Sequence, residues 1–221
     1  MSKLVWDPSG ERRYESGIEQ VALYLAVSGT YPKGVAWNGV TALNLKPSGA
    51  ESTPLYANNR KYLTLQSAEQ LGFTIEAYTY PVEWEECDGS KEVVPGVYIG
   101  QQARSPFGLV GKTIVGNDTE FNKFGHKLHL IYGGLAAPSE ETNATINENI
   151  EAKTMSWECS TTPVPVSGFD STSYICIDST MVDAEKLKAL EAILYGSEES
   201  EPRLPLPDEV FTILGYTPAA D

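Results

Sequence analysis

A chain of 221 residues, 41% hydrophobic and 21% charged, is long enough to bury a real core and has the balance of a globular protein. Its 30 acidic residues against 16 basic ones leave a formal net charge of −14, which argues against a protein that grips nucleic acid. No apolar run approaches the ~20 residues of a membrane span, and MSKLVWDPSGERRYESG lacks the apolar segment of a signal peptide. The expectation is a protein made and kept in the cytoplasm until something moves it.

Residues 1–17 are polar and turn-rich around Asp7-Pro8-Ser9-Gly10. The segment 18–27, IEQVALYLAV, fits a short strand or a helical turn, because periodicity does not separate the two. Residues 35–45 have strand character interrupted at Asn38-Gly39, by a tight turn or a bulge. The polar stretch 44–62, with Pro47, Ser48, Gly49 and Pro54, predicts a long inter-strand loop or hairpin. Residues 61–66 (KYLTLQ) alternate as a strand, and 67–70 suggest a turn. The clearest strand is 71–80, with Leu71, Phe73, Ile75 and Ala77 on one face and Thr74, Glu76, Tyr78 and Tyr80 on the other.

Residues 81–87, PVEWEEC, predict a single helical turn before Asp88-Gly89. Residues 93–99 and 107–115 are strand-like, each broken by glycine; 117–125 predict a loop and 126–133 another strand. Residues 138–149 predict an exposed acidic loop. The stretch 151–161 alternates with Met155, Trp157 and Cys159 on its apolar face, and 174–177 is expected to pair with it. One helix is well specified: Asp183 can cap AEKLKALEAILY, whose stripe is Leu187, Leu190, Ile193 and Leu194, with Gly196 at its end. Pro207-Asp208 opens a short C-terminal helix. The total is eight to ten strands and one or two helices in a single domain, 1–221. That predicts a mainly β, sandwich- or barrel-like fold with a flanking helix and an acidic C-terminal extension at 197–221.

No chemistry emerges from these elements. Cys87, Cys159 and Cys176 make neither a disulfide framework nor a C-x-x-C pattern, and their apolar neighbours predict buried thiols. His126 and His129 would point to opposite faces of a strand, so they could not share a metal. The acid pairs Glu85/Glu86, Glu140/Glu141 and Glu198/Glu199 are sequence neighbours rather than carboxylates held across a cleft. Neither Asp88-Gly89 nor Asn117-Asp118 opens a calcium-loop spacing, and there is no nucleophile elbow, Walker loop or dinucleotide fingerprint. Trp6, Trp37, Trp84 and Trp157 suit core or interface anchors better than a sugar-binding platform. The expectation is therefore a non-enzyme with no catalytic, cofactor-binding or metal-ligating residues.

The strings WNGVTA (37–42), GAESTPLYA (49–57), FTIEAYTYPVEWEECDGS (73–90) and HLIYGGLAAP (129–138) resemble the major tail protein, or tail tube protein, of long-tailed, siphovirus-like phages of Gram-positive bacteria. The resemblance runs over most of 1–215. It implies a β-sandwich-like tail-tube fold whose copies form hexameric rings, stacked into a hollow tube around a tape-measure protein. Tail-terminator and distal-tail proteins would be further partners, and DNA would pass through without specific binding. The location implied is the virion tail.

On that view the stretch 44–62 is the ring-stacking element, with Lys46, Glu51, Leu55, Tyr56, Arg60 and Lys61 as contact residues. Glu76 is the lumen-facing candidate; the other possibility is that it pairs with a basic neighbour on the outer surface. The acidity is either a solvated surface or a like-charged channel that lets a polyanion slide. A carbohydrate-binding β-sandwich module of a phage or cell-wall system is the alternative function.

Overall fold

The computed structural model describes residues 3–145, 152–198 and 200–216. In chain order it has β1 (Arg13–Leu25), β2 (Gly34–Ala36), β3 (Val40–Gly49), β4 (Ser52–Ala57), β5 (Arg60–Gln66) and β6 (Glu69–Ala77). Helix α1 (Trp84–Asp88) precedes β7 (Lys91–Val94), β8 (Val97–Ile99), β9 (Phe107–Asn117) and β10 (Phe121–Ala136). Then come β11 (Met155–Thr161), β12 (Val164–Val166), β13 (Phe169–Thr172) and β14 (Tyr174–Asp178), followed by α2 (Ala184–Tyr195) and α3 (Pro207–Leu214).

Eight strands form one antiparallel sheet in the order β2-β1-β9-β10-β11-β6-β3, with β14 also pairing β10. The sheet curls, so that β1, β9 and β10 face β3, β6 and β11 across a first core. Val21, Leu23, Phe73, Ile75, Leu109, Ile131 and the tryptophans 37, 84 and 157 fill it. The other face of β1, β9, β10 and β14 meets α2 and α3 through a second core of Tyr24, Val110, Leu128, Leu130, Tyr132, Leu190 and Val210. The expected mainly β, sandwich-like architecture with a flanking helix is what the chain forms.

This two-sided burial explains the ambiguous segment 18–27. In β1, Val21 and Leu23 enter the first core while Ala22 and Tyr24 enter the second. A strand buried on both faces carries an unbroken apolar run and loses its alternation. It is a strand, and it starts at Arg13, inside the stretch expected to be turns.

Long β10 explains another departure. One edge pairs with β9, while the other is shared by β14 along Lys127–Ile131 and by β11 along Gly134–Ala136. Gly133 sits at the switch with φ +61°, and a Cβ there would lie 2.1 Å from the Thr162 carbonyl oxygen. Only glycine fits. Residues 174–177 therefore pair with β10, not with 151–161 as expected, because β11 has β6 on its remaining edge.

The glycines of 107–115 do not break β9, which runs unbroken to Asn117, and the expected loop 117–125 shrinks to a tight connection before Phe121. Fourteen strands are described rather than eight to ten; the surplus is three separate two-stranded ribbons, β4–β5, β7–β8 and β12–β13. Of the expected loop 138–149, residues 138–145 are irregular and 146–149 lie outside the described residues.

Helix α2 forms as its sequence requires. The Asp183 carboxylate accepts from the backbone N–H groups of Glu185 and Lys186, and Leu187, Leu190 and Leu194 are buried, with Ile193 half-buried. Asp183→Ala should cost about 1 kcal/mol by orphaning those two donors. Urea unfolding checks this, and an unchanged midpoint would show that the cap is idle. The acidic stretch after α2 is not a free extension. Leu204 is buried and bridges Tyr31, the Pro202 carbonyl accepts from Gly34 N–H at 2.7 Å, and Val210 of α3 is fully buried. Residues 217–221 lie outside the described residues.

Candidate functional site

The stretch 44–62 is neither a loop nor one element. Its first part, through Gly49, belongs to β3 and pairs with β6 as far as Gly49↔Glu69. The ribbon then bends: Gly49 has φ +84° and Ala50 φ +55°, and a Cβ on Gly49 would meet the Ala68 carbonyl oxygen at 2.5 Å. Beyond the bend β4 and β5 form a hairpin arm, turning at Asn58-Asn59 and paired from Ser52↔Gln66 to Ala57↔Arg60. At ~3.3 Å per residue the arm reaches about 20 Å past the bend.

Every residue from Glu51 to Gln70 is exposed. The pairs Leu55↔Leu63 and Thr53↔Leu65 place three leucines on one face of the arm. Tyr56 pairs with Lys61, beyond a register shift between Leu55 and Tyr56.

The six stacking candidates thus do not form one cluster. Leu55, Tyr56, Arg60 and Lys61 lie on the arm, and Glu51 lies at its base. Lys46 belongs to the main sheet, where its Nζ sits 3.3 Å from Glu158 Oε1. Leu63 and Leu65 were missed, although the alternation of KYLTLQ held the signal. The row of leucines is an exposed apolar surface on a ribbon with no core of its own.

Glu76 lies on the non-core face of β6, half-buried. Its carboxylate accepts from the Asn44 side-chain amide at 3.3 Å, so its neighbour is neutral rather than basic. Register and alternation gather Asn44 and Lys46 of β3, Thr74 and Glu76 of β6, and Ser156 and Glu158 of β11 on this face. Apart from Thr74, which is buried, it is a field of small polar and acidic groups whose lysine is already paired with an acid. Helices α2 and α3 lie on the other layer.

A second exposed ribbon, β7–β8, stands on α1. Val93, Val94, Val97, Tyr98 and Ile99 are all exposed on it. Its base is held by hydrogen bonds from Ser90 N–H to the Glu85 carbonyl and from Ser105 N–H to the Glu86 carbonyl, and by Arg104 near Asp88. Beneath it Trp84 and Cys87 are fully buried.

Groups that could do chemistry are otherwise engaged. His126 and His129 do point to opposite sides of β10: His126 meets Glu191 of α2 at 2.9 Å, while His129 lies between Thr113 and Tyr174. Burial lowers the His129 pKa, favouring the neutral ring. Burial, then the nearby Glu86 charge, pushes the Cys87 thiol up to about 12, and burial raises Cys159 too, so neither supplies a thiolate at neutral pH. Cys176 departs from the expected burial. Its neighbours Ile175 and Ile177 face the helices, and alternation turns Cys176 outward.

No cluster of three or more metal-ligating side chains occurs among the described residues. Trp37, Trp84 and Trp157 are buried together, so they offer no sugar-stacking surface, while Trp6 is exposed. No helix among the described residues is long and apolar enough to cross a membrane. What the fold and its surfaces define is a mainly β, sandwich-like protein that leaves two ribbons with apolar side chains and one largely polar face exposed. Neither a protein-family model nor a curated protein sequence matches this chain.

Proposed function

We propose that this chain is the structural subunit of a phage tail tube, closing into rings, six-membered in the family it resembles, that stack through the hairpin arm. The observation that carries the reading is the arm. It presents Leu55, Leu63 and Leu65 on one face in a ribbon where nothing is buried. A monomer gains nothing from such a feature, whereas a repeating assembly buries it once per copy. Heterologous contacts of this kind propagate into rings and tubes.

The polar face of β3, β6 and β11 supports the same reading. A bore lined by Glu76, Glu158 and small polar groups would offer a polyanion little to bind. The tape-measure, terminator and distal-tail proteins would then be its partners, the virion tail its place, and its role non-enzymatic. Concentrating the purified protein and imaging it in negative stain tests this. Rings or tubes are expected, while a persistent monomer that binds glycans would favour the carbohydrate-binding alternative.

The lining makes its own prediction. Glu76→Lys places a cation in each of the repeated positions, and at physiological salt each ring's field fades over about 8 Å. Many stacked rings would change sign together and add phosphate contacts along the whole bore. Tubes should still form, since the site is half-exposed and its one partner is an amide. Phage carrying the change should eject DNA several-fold more slowly. Ejection at the parental rate would remove Glu76 from the lumen.

A further inference from the structure

Resting on the reading that the arm joins copies of this chain, we propose that its receiving surface on the next copy is the β7–β8 ribbon together with the acidic helix α1 beneath it. Two observations single out that surface. The first is apolar. Among the described residues β4–β5 and β7–β8 are the two-stranded ribbons exposed throughout, and neither pairs with another strand. The third ribbon, β12–β13, is tied down by Ser167 on Asp208 and by buried Val166. The leucines on the arm and the Val97 and Ile99 side chains, which alternation places on one face of β8, are thus exposed apolar groups on two ribbons that no other strand covers.

The second observation is charge. Residues 52–66 hold Arg60 and Lys61 and no acid, in a chain of net charge −14. Neither of these cations has an ion-pair partner among the described residues. Residues 83–92 hold Glu83, Glu85, Glu86, Asp88 and Glu92 against Lys91. A basic tip is drawn to many places on an acidic protein, so charge alone does not choose. Acid beside an exposed apolar ribbon does. The ribbon is also a firm platform, because α1 anchors it through Trp84 and Cys87. Arm and ribbon are different surfaces of one chain, so a head-to-tail contact between them extends from copy to copy.

Charge reversal tests the pairing. The arm variant is Arg60→Glu with Lys61→Glu, the ribbon variant is Glu83→Lys with Glu86→Lys, and a third chain carries all four changes. Tube growth is followed by light scattering at low salt and checked by microscopy, with circular dichroism confirming that each chain is folded. Each half-variant should grow at least tenfold more slowly, and the fourfold variant should recover to within about threefold of the parent. If the arm variant fails while the ribbon variant grows normally, the arm remains a joint and the receiving surface proposed here is wrong. If the arm variant itself grows normally, the arm is not the joint, and both readings fall. A folded fourfold variant that does not recover also overturns the pairing. As a check that does not depend on charge, Val97→Asp should slow growth without shifting the melting temperature by more than a few degrees; normal growth would overturn the apolar half of the contact.

Discussion

Deleting residues 52–66 is expected to leave a protein that folds, melts within a few degrees of the parent and forms no tubes. The deletion removes no member of either core: the buried and core-packed side chains on this ribbon stop at Leu45 on β3 and resume at Phe73 on β6. Residues 50, 51, 67 and 68 would remain to join Gly49 to Glu69, a connection of a length that hairpins commonly use. Changes confined to exposed positions usually stay within about 0.5 kcal/mol, and for a domain of this size each kcal/mol moves the melting temperature by roughly 2–4 °C. Assembly, by contrast, would lose a whole contact strip in every copy. Calorimetry and negative-stain microscopy on the same sample decide it. Tubes of normal length would remove the arm from the assembly, and an unfolded chain would show that the arm supports the fold.

The boundaries matter here, and they show what a sequence conceals. Proline, serine and glycine at 47–49 suggest a loop, so a deletion designed from sequence would span 47–54. Yet Pro47 pairs with Leu71, Ser48 with Gln70 and Gly49 with Glu69. Proline is tolerated because β3 is the outer strand of the sheet, where a missing N–H faces no partner. That deletion would shorten the β3–β6 ladder and confound assembly with stability.

Legibility followed burial. Strand β6 is core-facing on one side and polar on the other, and its alternation declared it at once. The helix α2 was equally plain, because its apolar stripe, its aspartate cap and its closing glycine agree. β1 was blurred for the opposite reason: its inner half is buried on both faces, between the two cores, so period two disappears. The partner of 174–177 was not readable, since pairing depends on which edge of β10 is free, and that is set by the register change at Gly133. The sequence placed Glu76 on the right face of the right strand, but the neighbours around it come from β3 and β11, far away in the chain. Of the second ribbon, only 93–99 shows strand character in the sequence, and nothing there points to a role. Its exposed valines look like core until the structure sets them outside.

Trp84→Ala should be the most damaging single substitution considered, costing about 3–5 kcal/mol of a total that for natural domains is about 5–15 kcal/mol. Trp84 has no exposed surface, and its ring centroid lies 4.6 Å from that of Trp37, 5.4 Å from Trp157 and 5.0 Å from Phe107. It also holds α1 in place. A helix of five residues is far too short to persist alone, so burial of Trp84 and Cys87 must fix it. When the ring goes, the cavity and the loosened helix act together, and the β7–β8 ribbon loses its footing on the Glu85 and Glu86 carbonyls. The melting temperature should fall by roughly 6–20 °C. Trp84→Phe separates ring packing from the indole N–H. The Trp84 Nε1 is buried with no hydrogen-bond partner among the described residues, so phenylalanine forfeits volume but removes a costly orphaned donor. It should therefore lose less than half of what alanine loses. Calorimetry on the two variants gives the answer: equal losses would mean that the indole nitrogen has a partner, and an alanine variant that melts with the parent would mean that the three-tryptophan cluster does not hold this layer together.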